Sequence, residues 1–107
     1  MTEASMRIYH IVLPDIWDKF DTGLYRTPSL ESEGFIHCSF AHQLDAVIAR
    51  YYSSEAEVVV LEIDSEMLMS RVVSEPSTGN EIYPHIYGPI NRNAIVGASR
   101  RTLGDHF

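Results

Sequence analysis

Apolar residues alternate along "RIYHIVL" (7 to 13), which puts Ile8, His10 and Val12 on one face of an extended segment and Tyr9, Ile11 and Leu13 on the other. Pro14 closes that strand and opens a helical turn, "PDIWDKF", because proline is tolerated in the first turn of a helix. "YRTPSLESEGFIHCS" reads as an extended arm, a turn carrying Pro28 and Gly34, and a short strand. In "FAHQLDAVIARYY", Phe40, Leu44, Val47, Ile48 and Tyr51 recur at helical spacing, so the main helix is expected over about 40–52, capped by Ser39. "EVVVLEI" (57 to 63) is a continuous apolar run, as expected for a central strand buried on both faces.

Asp64 or Ser65 is placed to cap one turn through "EMLM", and "RVVSE" (71 to 75) reads as another strand. "PSTGN" (76 to 80) is turn chemistry. The two prolines and glycine of "EIYPHIYGPI" predict an irregular segment, and "NAIVGASR" (93 to 100) a last strand. Strands outnumber helices and do not alternate with them regularly, which predicts α+β rather than a doubly wound sheet. No repeat or linker interrupts the pattern, so residues 1–107 read as one domain, with a folded unit over about 6–103.

Composition narrows the function classes. Eight basic residues against fifteen acidic give a formal charge of −7, which opposes unspecific binding to a phosphate backbone, although Arg7, Arg26 and Arg92 are candidates for a local basic patch. No stretch approaches the ~20 apolar residues of a membrane span. "MTEASM" lacks the basic and apolar regions of a secretory signal, so a cytoplasmic location is the expectation. The single cysteine excludes an internal disulfide and any multi-cysteine zinc site.

Three of the five histidines sit in apolar segments: His10 in "IYHIV", His37 in "FIHCS" and His85 in "YPHIYG". A half-buried imidazole can bond a ligand or move a proton at neutral pH; the alternative for each is a core histidine bonded to a backbone carbonyl. A metal is not expected, because His37 and Cys38 are consecutive strand residues pointing to opposite faces. Cys38 reads as an inward-facing small hydrophobe rather than a nucleophile. Tyr83, His85 and Tyr87 alternate and can face one way as the wall of a pocket for a planar ligand. Glu75, at a strand end, is the candidate acid, with Glu81 a second acid upstream of "YPHIYG". No second acid at fixed spacing supports a paired-carboxylate mechanism, and phosphate-loop motifs are absent.

"IYHIVLPDIW", "SLESEGFIHCSF", "VVVLEID", "SEP" and "YPHIYGPINRNAIV", in this order, resemble a bacterial family known as domain of unknown function 952. That family is grouped with the ADP-ribosyltransferase-like fold, so the resemblance implies a compact α+β architecture of two small, mostly antiparallel sheets around an NAD-binding cleft. It implies that His10 holds the adenosine ribose and that His37 stands where a tyrosine usually stacks on nicotinamide, similar to the branch containing RNA 2′-phosphotransferases. Ser39 would be a hydrogen-bonding neighbour, with His85 and Tyr87 completing the wall. The third-block glutamate of enzymes that modify proteins has no clean counterpart here, which weighs against transfer to protein. Two classes follow: an enzyme acting on NAD or on an ADP-ribosylated or 2′-phosphorylated small molecule, with His10 and His37 as catalytic candidates, or a non-catalytic nucleotide-binding or regulatory domain.

Overall fold

The valine run does form the middle of a sheet. In the computed structural model, which describes residues 6–103, β4 (Glu57–Asp64) pairs antiparallel with β1 (Arg7–Val12) on one side and β8 (Ile95–Thr102) on the other. The "MTEAS" part of the stretch read for targeting lies outside the described residues. The alternation in β1 holds. Ile8 and Val12 join Val59, Leu61 and Ile63 of β4 in one buried cluster, and Ile11 joins Val58 and Val60 in another. The second cluster is roofed by Leu44 and Ile48 of the main helix, α3 (Leu44–Tyr51).

The first cluster faces a second sheet, in the order β3 (Ile36–His37), β6 (Ile82–Tyr87), β5 (Arg71–Pro76), which contributes Ile36 and Ile86. The segments that connect the sheets along the chain include short helices α1 (Pro14–Lys19) and α2 (Pro28–Ser32) and a two-stranded ribbon of β2 (Leu24–Tyr25) with β7 (Ile90–Asn91). All pairings are antiparallel. The architecture is thus α+β with small antiparallel sheets, as expected, but with the ribbon added to the two sheets foreseen. No helix among the described residues is long and apolar enough to cross a membrane.

Three local expectations are corrected. Residues 82–87 form the central strand of their sheet rather than an irregular segment, although they contain Pro84. A strand residue turns its nitrogen and carbonyl toward the same neighbour, and the Pro84 carbonyl accepts from Cys38 N at 3.1 Å. The missing N–H therefore faces the side where β3 has already ended, and the ladder to β5 is untouched. Pro28 opens a short helix rather than a turn, its missing N–H being one that no helix start can use. Ser39 does not cap the main helix: a 3-10 turn, Ala41–Gln43, precedes it, and Phe40 N donates to Gln43 Oε1 at 2.9 Å instead. Asp64 does cap the next turn, accepting from Glu66 N at 3.0 Å.

Candidate functional site

A cleft of about 570 Å³ opens where the two sheets meet. The sheets are joined along the main chain by Tyr9 and Ser39, whose backbones exchange two hydrogen bonds, Tyr9 N to Ser39 O at 2.8 Å and Ser39 N to Tyr9 O at 2.7 Å. That seam brings His10, His37 and Ser39 to one cleft, as the sequence suggested. The walls are apolar and aromatic, with Ile16, Val47, Tyr51 and Tyr83 among them, and Arg26 stands at the edge.

His10 lies on the floor, buried, with both ring nitrogens engaged. Nδ1 bonds the His37 carbonyl at 2.8 Å, and Nε2 bonds the Tyr25 hydroxyl at 2.9 Å. A carbonyl can only accept, so Nδ1 carries the proton, Nε2 is the acceptor, and Tyr25 donates. Burial pushes the His10 pKa down to about 4, which keeps the ring neutral. Burial likewise raises the Tyr25 hydroxyl above its ordinary range, so Tyr25 stays a phenol with lone pairs to spare. His10 and His37 are thus linked through a backbone carbonyl; their imidazoles are not bonded to each other. Tyr25 is a residue that the sequence left unremarked in an extended arm.

His37 sits half exposed at the rim, and its Nε2 lies 3.2 Å from both carboxylate oxygens of Glu33. Glu33 also lines the cleft and was not singled out in the sequence. The signal was present: Glu33 stands four residues before His37, across the turn that Gly34 makes at φ +92°. The Ser39 hydroxyl borders the cleft, and among the described residues no side-chain hydrogen bond engages it. Cys38 faces the core, where burial raises its thiol well above the usual range.

The remaining candidates separate. Tyr83 reaches the cleft and donates to Glu81 Oε1 at 2.9 Å. His85 and Tyr87 lie on the same face of β6 but outside the cleft lining, and both bond Glu75 Oε2. Those two bonds, that of Tyr87 before that of His85, hold the Glu75 carboxyl below its ordinary range. The three arginines do not act together. Arg7 pairs with Glu62 and Asp64, Arg92 lies over the Trp17 ring, and Arg26 alone borders the cleft, with no acidic partner among the described residues. Among the described residues no three His, Cys, Asp or Glu side chains gather as a metal site.

Comparison with known proteins agrees with the fold. The model of the family described as "Protein of unknown function (DUF952)" matches residues 11–98. The crystal structure of protein CC0527 from Caulobacter crescentus superposes with a TM-score of 0.77 at 25% identity, covering 89% of this chain and 85% of that one. A double mutant of the same protein gives 0.76 at 24% identity, with the same shares covered. No curated protein matches the sequence.

Proposed function

The chain belongs to the DUF952 family, and from that premise we propose that the cleft binds a nucleotide of the NAD or ADP-ribose class, in a fold of the ADP-ribosyltransferase-like kind. The supporting architecture is a pair of three-stranded antiparallel sheets meeting at one seam, with the cleft beside it. The observation that carries the reading is the convergence of His10, His37 and Ser39, distant in sequence, on that cleft.

The residues fit such a ligand. At about 570 Å³ the cleft is in the size range of small-molecule sites. Arg26, without an acidic partner among the described residues, is placed to meet a phosphate, for which a guanidinium is suited. Ser39 and the Tyr25 lone pairs offer hydrogen bonds to ribose hydroxyls, and Tyr51 and Tyr83 offer faces to a base. NAD, when bound, supplies an ADP-ribosyl group and a nicotinamide leaving group. The chain supplies the Glu33 carboxylate at the rim, a negative charge near which a cationic ribosyl centre is favoured.

A second reading, a binding or regulatory domain without turnover, draws on His10. Both of its ring nitrogens are taken, which suits an orienting group better than a proton shuttle. Calorimetric titration with NAD, ADP-ribose and nicotinamide, followed by mass spectrometry for NAD cleavage, separates the cases. Binding of NAD and ADP-ribose is expected, with nicotinamide weaker. Cleavage distinguishes the enzyme from the binding domain, and no binding of any of the three at about 1 mM overturns both.

A further inference from the structure

His85 is buried and titratable, and the cleft does not use it. It is 3% exposed and donates its Nδ1 proton to Glu75 Oε2 at 2.6 Å, the same oxygen that receives the Tyr87 hydroxyl. An ionised carboxylate can only accept, so when the imidazole is neutral its proton sits on Nδ1 and Nε2 presents a lone pair. Among the described residues, Nε2 of His85 is the buried side-chain atom with no hydrogen-bond partner. Such atoms are rare in folded proteins and often belong to sites.

The surroundings set this imidazole beside a residue of the cleft. Cα pairing in the sheet sets His37 opposite His85, and the two rings meet edge to face at 5.4 Å between centroids. His37 lines the cleft, so one ring separates it from His85. Phe35 lies nearly flat on the His85 imidazole, 4.0 Å away at 14°, and covers it. The ionisable groups facing the imidazole are Glu75 from β5, Tyr87 from β6 and His37 from β3; Arg71 lies over the Tyr87 ring and Glu33 holds His37.

We propose that His85 is the proton acceptor for an O–H nucleophile entering beside His37, with Glu75 as the positioning residue that fixes its tautomer. The inference rests on the ADP-ribose reading of the cleft and assigns its acceptor class: a sugar hydroxyl or water, neutral donors that a bare lone pair can serve. As the oxygen bonds to the anomeric carbon, its proton passes to His85 Nε2. The bond from that carbon to the leaving base breaks, and the electron pair departs with the base.

Three measurements test this on the full chain. In long-range proton–nitrogen spectra, His85 shows the Nδ1–H tautomer, and its Nε2 resonance moves upfield on saturation with ADP-ribose; an unmoved resonance overturns the proposal. With NAD in water, wild type releases nicotinamide, and His85→Gln loses at least about 100-fold in kcat while its Kd for NAD stays within about 2-fold. Glu75→Gln keeps the hydrogen bond and removes the charge, so kcat falls about 10-fold and the acid limb of its pH profile moves to lower pH, a displacement that a purely structural role would not produce. NAD binding with unchanged kcat in His85→Gln, or with no release by wild type, sinks the proton-acceptor role and leaves the nucleotide reading standing. Absence of NAD binding removes the nucleotide reading itself, and the proton-acceptor role with it.

Discussion

Replacing His10 with Gln tests how strongly burial governs the cleft floor. Read from sequence alone, His10 is a site residue whose loss leaves the thermal midpoint nearly unchanged. The structure predicts otherwise, because the ring is buried and bonded at both nitrogens. Its folded pKa is about 4 against an ordinary 6.5. Between those values the unfolded chain binds a proton that the folded one refuses, so stability falls as pH falls. The sign follows from the lowered pKa: the contribution is fully present above about pH 6.5 and is lost as pH falls through about 4. At about 1.4 kcal/mol per pH unit, the linked loss is roughly 2 kcal/mol at pH 5 and roughly 3 kcal/mol at pH 4. Against a total stability of about 5–15 kcal/mol that is large. Urea unfolding of wild type and His10→Gln at pH 7.5, 6, 5 and 4.5 isolates the effect, because carboxylates titrate alike in both. Gln can still donate to the His37 carbonyl and accept from Tyr25, but it cannot titrate. The stability gap between the two proteins should narrow by roughly 2 kcal/mol from pH 7.5 to pH 5. A gap constant within about 0.5 kcal/mol over that range refutes the assignment of a buried, neutral His10.

Tyr25→Phe leaves His10 Nε2 buried without a donor and should cost about 1–3 kcal/mol by urea unfolding. In a double-mutant cycle with His10→Ala, which removes the acceptor, the two losses should not add; additivity would mean that the bond carries no energy. Gly88→Ala would set a Cβ 2.3 Å from Ser70 Oγ and 2.9 Å from Ser70 Cβ, disturbing the hydroxyl that donates to the Pro89 carbonyl. A loss of about 1–3 kcal/mol is expected, and unchanged unfolding would show that the turn relaxes freely. Cys38 should resist Ellman's reagent in the native state and react fully in urea, because burial raises its thiol pKa; prompt native labelling contradicts that environment. Arg100→Ala removes exposed pairs to Asp18 and Glu57 and should change stability by less than about 1 kcal/mol, measured the same way.

What the sequence disclosed follows where a residue's role is set by its own segment. The β1 alternation and the β4 valine run predict their strands because burial on one face or two imposes the pattern. β6 was obscured by Pro84, whose cost depends on which neighbour its nitrogen faces, a property of β3 and not of β6. Once β6 is known as a strand, the turn at 76–80 sets Glu75 opposite Tyr83 and next to His85, so the Glu75–His85 pair was within reach of hairpin arithmetic. Tyr25 was not. It meets His10 only through the ribbon of β2 with β7, and two-residue strands carry no periodic signal. The core identity of Cys38 was legible from strand alternation, which sets it opposite to His37; the cleft that both residues border was not.

Among the described residues, the main-chain seam between the sheets is a single residue pair, Tyr9 with Ser39. Each wall of the cleft is internally braced by its own ladder, whereas packed apolar side chains and the bond from His10 Nδ1 to the His37 carbonyl join the two elsewhere. Alignment of the walls is therefore a separate variable from the shape of either one. A small change at this pair would translate Ser39 and His37 together against Tyr25 and Arg26, reshaping the cleft without exchanging any residue that lines it.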